Sequence, residues 1–323
     1  MRSIVLFALS AVLSLTMLSY AEPSWAKFDR IEAKEFEYPY DVKVYDLPVS
    51  ENGIGYRVYI RPPIGQVAEG EKAATFYFLD ALTNFTPAAA MSYNYEYFRY
   101  MPAAYFVGIG YQNEADSLPK ESNRTRDYTP TEFIPDKDHF LYESKKDWEG
   151  SGGAEAFWKV VEKEIIPFVE SLHEVDETER VLVGKSTSGL GALYPAIAMP
   201  GLFKRYLVIS PAIWWDDWLK PRNERAISLL AEETRDTDYP FKTRIYFAAG
   251  DDEERMGMVT DVYSLANQIR YQERENLEVA VEILEGTNHE GTFPEAFMRG
   301  IVGVYAGEEN YRLHPSSKSL EWR

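Results

Sequence analysis

The chain has 323 residues, of which 45% are apolar and 27% charged, with a net charge of −18 and no cysteine. That mix builds a folded core and excludes long disorder. The acidic balance excludes nucleic-acid backbone binding and docking on anionic membranes, both of which need clustered Lys and Arg, and the missing thiols exclude disulfides, thiolate metal sites and a lipoprotein anchor.

At the N-terminus, Arg2 precedes an apolar run from Ile4 to Leu15, and Ser19-Tyr20-Ala21 places small residues before Glu22-Pro23. This is the pattern of a secretory signal peptide over residues 1–21, cleaved after Ala21, with a second site after Ala26 and an uncleaved anchor as alternatives. No other stretch is long and apolar enough to cross a bilayer. An exported chain without disulfides points to a bacterial periplasm or exterior. Residues 22–323 show no repeat or linker and read as one domain.

From Tyr38 to Pro63 the residues alternate as antiparallel edge strands do, through Lys43-Val44-Tyr45 and Tyr56–Arg61. Short continuous apolar runs follow at Ala74–Leu79, Ala104–Ile109, Arg180–Val183, Tyr206–Ile209 and Arg244–Ala248, as in strands buried on both faces. Helical periodicity separates them: Ala154 to His173, with Pro167 ending or kinking a turn, then Leu190 to Ala198, Val259 to Arg274 and Glu295 to Tyr305. Alternating strands and helices predict a mostly parallel central sheet with helices on both faces. Residues 110–150 and 212–240 break the rhythm as loop insertions. Both follow strands, at the carboxyl edge where open α/β sheets bind ligands.

Val181-Leu182-Val183-Gly184-Lys185-Ser186-Thr187-Ser188-Gly189-Leu190 runs from a buried strand through a tight turn into a helix. This is a nucleophile elbow, which lifts one hydroxyl, that of Ser186, above the sheet. The Thr187 N–H, at the start of the following helix, faces a forming oxyanion. In G-x-S-x-G position 188 would be Gly; here it is Ser188, with Gly189 one place later. The same residues also suit a strand–helix turn without chemistry. A phosphate-binding loop is excluded, because Glu179 stands where its first Gly is required.

The chain order of such sites is Ser, acid, His, so the base must follow Ser186. His289 lies in Val281–Gly291, a last strand leading into a loop, whereas His314 lies in a polar tail. Between them, the strand ending at Gly250 runs into Asp251-Asp252-Glu253-Glu254. The acid must hold the imidazole tautomer, and spacing from Gly250 favours Glu253, with Asp252 second. A second oxyanion donor is expected after Phe78-Leu79-Asp80-Ala81, at the Leu82 N–H. Trp214, Trp215 and Trp218 suit either the floor of an aromatic pocket or the packing of a capping loop. Arg124 and Arg126 suit either an anionic substrate or pairing with Asp127.

Several of these stretches resemble the putative-esterase family of α/β-hydrolases. That group includes siderophore esterases, esterase D-like enzymes, feruloyl esterases and the antigen-85 mycolyltransferases. Tyr77-Phe78-Leu79-Asp80-Ala81 is similar to its Y-L-L-D-G. Phe106–Tyr111 followed by Arg124-Thr125-Arg126-Asp127-Tyr128-Thr129-Pro130 is similar to its V-G-I-G and R-x-R-D-x-T-P. Gly152–Phe157 with Glu164–Phe168 is similar to its G-G-A-x-x-F…E-x-I-P-x-I. The likeness spans most of residues 40–305 and is greatest to the siderophore-esterase subgroup. It implies an α/β-hydrolase fold and a serine esterase that needs no cofactor and no metal. Such an enzyme would act on a small or siderophore-like ester, as a monomer or homodimer. Ala81, Lys185 and Ser188 depart from the pattern, which has Gly, commonly His, and Gly there. The competing readings are a non-catalytic binding protein on the same fold, and an acyltransferase.

Overall fold

Strands apolar on both faces must lie between two helical layers. The structure, a computed structural model, describes residues 41–67, 69–114, 120–138, 142–308, 310–312 and 320–323. The signal peptide expected over residues 1–21 lies outside them. The strands are β1 (Lys43–Asp46), β2 (Tyr56–Arg61), β3 (Ala73–Phe78), β4 (Ala104–Tyr111), β5 (Val175–Lys185), β6 (Arg205–Ile209), β7 (Thr243–Gly250) and β8 (Leu277–Leu284). They form one sheet in the order β1-β2-β4-β3-β5-β6-β7-β8. The pairs β1–β2 and β2–β4 are antiparallel; every later pairing is parallel. This is the α/β-hydrolase arrangement expected from the sequence.

The helices are α1 (Thr86–Met91), α2 (Tyr93–Tyr97), α3 (Glu121–Tyr128), α4 (Ala154–Val160), α5 (Ile166–Leu172), α6 (Thr187–Ala198), α7 (Ala226–Glu233), α8 (Met258–Tyr271) and α9 (Thr292–Gly303). Among the described residues, no helix is long and apolar enough to cross a membrane. Period-2 alternation divides the apolar side chains into two cores. Tyr77, Leu182, Tyr206, Val208, Ile245 and Phe247 face the layer containing α4, α6 and α8. Phe76, Phe78, Val181, Val183, Leu207 and Tyr246 face α1 and α9.

The stretch expected as helix from Ala154 to His173 is helical without a break from Ala154 to Leu172, with a π-turn over Val161–Ile165 between α4 and α5. Pro167 sits in the first turn of α5, directly after the π-turn. The two insertions also hold more structure than expected: α3 lies in 110–150 and α7 in 212–240. Helix α3 hides from a hydrophobicity scan because its buried face is mostly polar: Asn123, Thr125 and Asp127 beside Tyr128. At the sheet edge, Arg323 pairs with β8 in both directions, its carbonyl accepting from Val279 N–H at 2.8 Å and its N–H donating back at 3.2 Å.

Candidate active site

The strand β5 ends and α6 begins at Ser186, whose backbone is held at φ 59°, ψ −123°. A non-glycine residue there is strained, and the surroundings must impose it. The Ser186 N–H donates to Ile209 O and its carbonyl accepts from Ala212 N–H, both at 3.0 Å. Gly184 makes room for the turn, since a Cβ there would sit 2.2 Å from Ser188 O.

Ser188, in the place of the expected Gly, is buried and staples this turn. Its hydroxyl donates to Lys185 O at 2.8 Å and accepts from Lys185 N–H at 3.0 Å and Asn84 Nδ2 at 3.3 Å. The need for glycine has moved one residue on: a Cβ at Gly189 would meet Ile209 O at 3.0 Å and Pro211 Cα at 3.1 Å. Ala81 is likewise accommodated. Its methyl packs over the strand glycines Gly108 and Gly110.

His289, in the loop between β8 and α9, brings Nε2 to 3.1 Å from Ser186 Oγ. Its Nδ1 lies 2.9 Å from Glu253 Oε2. Glu253 stands in the short turn after β7, buried. Its Oε1 accepts from Ser210 Oγ at 2.7 Å, Gly250 N–H at 2.9 Å and Thr292 Oγ1 at 2.8 Å. The Thr292 hydroxyl also lies 2.6 Å from Asn288 O, so its single proton serves one acceptor at a time. Burial alone would raise the Glu253 pKa, but the bonds from His289, Gly250, Ser210 and Thr292 outweigh it and hold the carboxyl at about 2. An ionised carboxylate only accepts, so Nδ1 carries the imidazole proton and the Nε2 lone pair faces the Ser186 hydroxyl.

These three side chains are the sequence-derived set. Other candidates lie elsewhere. Asp252 is turned away from the imidazole: it pairs with Arg255 at 2.8 Å, and its N–H donates to Thr287 O at 3.3 Å. Trp215 is in the core, 1% exposed, with Nε1 donating to Thr131 O at 3.0 Å and its ring 5.1 Å from that of Trp148. Trp214 stacks on Trp218 at 5.2 Å. These tryptophans fasten one insertion to the other instead of flooring the cleft. Arg126 grips Asp127 through two bonds, at 2.7 and 3.0 Å, and reaches Asn123 Oδ1 at 3.1 Å, a buttress away from the hydroxyl.

The cleft that does contain Ser186 and His289 has a volume of about 560 Å³. Asp80, Thr83 and Asn84 form one wall; Arg124 and Lys185 bring cations, Glu121 and Glu290 carboxylates, and Phe293 an apolar surface. Arg124 is engaged by Asp80 (Nε–Oδ1 3.1 Å) and by Glu121 (2.8 Å). Leu82 follows Asp80, whose φ of 53° opens a π-turn over Ala81–Phe85, so the Leu82 N–H is a first-turn amide without an intrahelical acceptor. Thr187 N–H has the same status at the start of α6. No sequence pattern marks Ser210, Thr292, Asn84 or Glu290 as part of the site. Ser210 and Thr292 act across gaps of about 40 residues that no local pattern spans. Lys185 was signalled by its place beside Ser186.

A family model described as Putative esterase matches residues 53–300. The ferri-bacillibactin esterase BesA of Bacillus subtilis is 25% identical over 222 residues, 67% of this chain and 70% of that protein. Among solved structures, the BES protein from Bacillus cereus superposes with a TM-score of 0.70 at 23% identity, covering 85% of this chain and 98% of the other. The siderophore hydrolase EstA from Aspergillus nidulans gives 0.68 at 20%, covering 84% and 96%. With the fold, the elbow and the family match in agreement, the chain belongs to the Putative esterase family and is an esterase of the α/β-hydrolase fold.

Proposed function

We propose that this esterase works through an acyl-enzyme on Ser186, with His289 as general base and Glu253 as the acid that orients it. The observation that carries the reading is the unbroken chain from Ser186 Oγ to His289 Nε2 (3.1 Å) and from Nδ1 to Glu253 (2.9 Å). As Ser186 Oγ bonds to the ester carbonyl carbon, its proton passes to Nε2, and the carbonyl oxygen becomes an oxyanion facing the Leu82 and Thr187 N–H groups. Each such donor is typically worth ~3–4 kcal/mol of barrier. The imidazolium then protonates the departing alkoxide as the C–O bond breaks, and a water repeats the sequence to free the acid and Ser186. Glu253, ionised throughout, stabilises the imidazolium.

The substrate is a small or siderophore-like ester. Support comes from the relatives' names and from a cleft of small-molecule size beside the hydroxyl. The protein is exported, with residues 1–21 removed, and acts as a monomer or homodimer. Ser186→Ala is expected to abolish hydrolysis of 4-nitrophenyl acetate and labelling by a fluorophosphonate probe. Turnover equal to wild type would remove Ser186 from the mechanism.

A further inference from the structure

Lys185 immediately precedes the proposed nucleophile, and its side chain lines the same cleft. The other cation of the cleft, Arg124, is committed to Asp80 and Glu121. Among the described residues, Lys185 makes no ion pair. Burial pulls its pKa below the ordinary lysine value, opposed by the carboxylates of Glu253, Glu290 and Asp80 and reinforced by the Arg124 guanidinium. A half-buried ammonium without an adjacent counter-ion gains from any anion that reaches it, because that anion restores part of the solvation lost.

The cleft as a whole is not basic. Asp80, Glu121 and Glu290 outnumber Arg124 and Lys185 by one charge, and the protein carries −18. A single carboxylate or phenolate beside Lys185 meets its partner. A second or third charge on the same molecule meets the exposed Glu290 and the net negative charge of the cleft.

We infer that Lys185 is a specificity-determining residue that receives one anionic group of the substrate, so that the site favours esters bearing a single negative charge over neutral and over multiply charged ones. This rests on the esterase reading above, deepens it to a substrate class, and sets a multiply charged metal–siderophore complex apart from the preferred substrate.

The test uses the full-length enzyme, Lys185→Met and Lys185→Arg, on two substrate series. Phenyl acetate, 3-acetoxybenzoate and 5-acetoxyisophthalate place zero, one and two charges on the alcohol side. 4-Nitrophenyl hexanoate and mono-4-nitrophenyl adipate place zero and one on the acyl side. In wild type, kcat/KM should be higher for the monoanion than for the neutral ester in at least one series, and in the alcohol-side series the dianion should fall below the monoanion. Lys185→Met should lower the monoanion-to-neutral ratio about tenfold, mainly through KM, and Lys185→Arg should retain most of it. Ratios within twofold of wild type in both series would overturn the inference, as would equal losses on neutral and charged esters. Wild type more active on the dianion than on the monoanion would overturn it too. A wild type inert towards every ester would instead overturn the esterase reading on which it rests.

Discussion

Glu253 gathers donors from three parts of the chain: the Gly250 amide, the Ser210 and Thr292 hydroxyls, and the His289 imidazole. Glu253→Gln keeps the shape but replaces one acceptor oxygen with a donor, so the imidazole no longer holds its proton on Nδ1. By analogy with other triads, kcat should fall by roughly 10³–10⁴-fold. Stability should respond to pH with a definite sign. A carboxyl whose pKa is 4.5 when free and about 2 when folded contributes fully above pH 4.5, and loses that contribution as pH falls from 4.5 towards 2. Urea unfolding of wild type and Glu253→Gln should therefore show a gap that narrows across that window. A gap constant down to pH 2 would mean the carboxylate is not held as described.

At the level of elements, the strand–helix turn explains why an imperfect motif still builds an elbow. Ser188→Gly would restore the family pattern but remove three hydrogen bonds around Lys185 and Asn84. Melting should show a loss of about 1 kcal/mol, with no gain in kcat. A more active, equally stable variant would show that the hydroxymethyl crowds the site. The departures at 81 and 188 thus give no support to a non-catalytic reading. Strands β3 to β7 were legible because burial on both faces writes an unbroken apolar run, and His289 and Glu253 because a strand end fixes where a loop residue can reach. Which arginine enters the cleft was not. Arg124 and Arg126 are two residues apart on α3, about 200° around its axis, and a polar helix gives no sign of which side faces inward. Nor does an aromatic run such as Trp214-Trp215 distinguish a pocket floor from a fastener, since both bury the same rings.

For the whole molecule, the arrangement separates duties along the sheet. The antiparallel end, β1, β2 and β4, supplies no member of the Ser–His–Glu chain. Ser186, Ser210, Glu253 and His289 follow the consecutive neighbours β5, β6, β7 and β8, so the strand order itself aligns them. The strong acidity, a net charge of −18, favours solubility through mutual repulsion between molecules. If residues 1–21 are removed on export, protein recovered from the periplasm or medium should begin at Glu22. A cytoplasmic protein beginning at Met1 would refute export.

The outermost strand of that series carries the imidazole, and the described residues show Arg323 laid along its free side. Fraying there would carry His289 out of reach of Ser186 while the central strands stayed assembled. Such a protein forfeits turnover at temperatures where its circular dichroism is still native, and a cut near residue 320 would widen that interval.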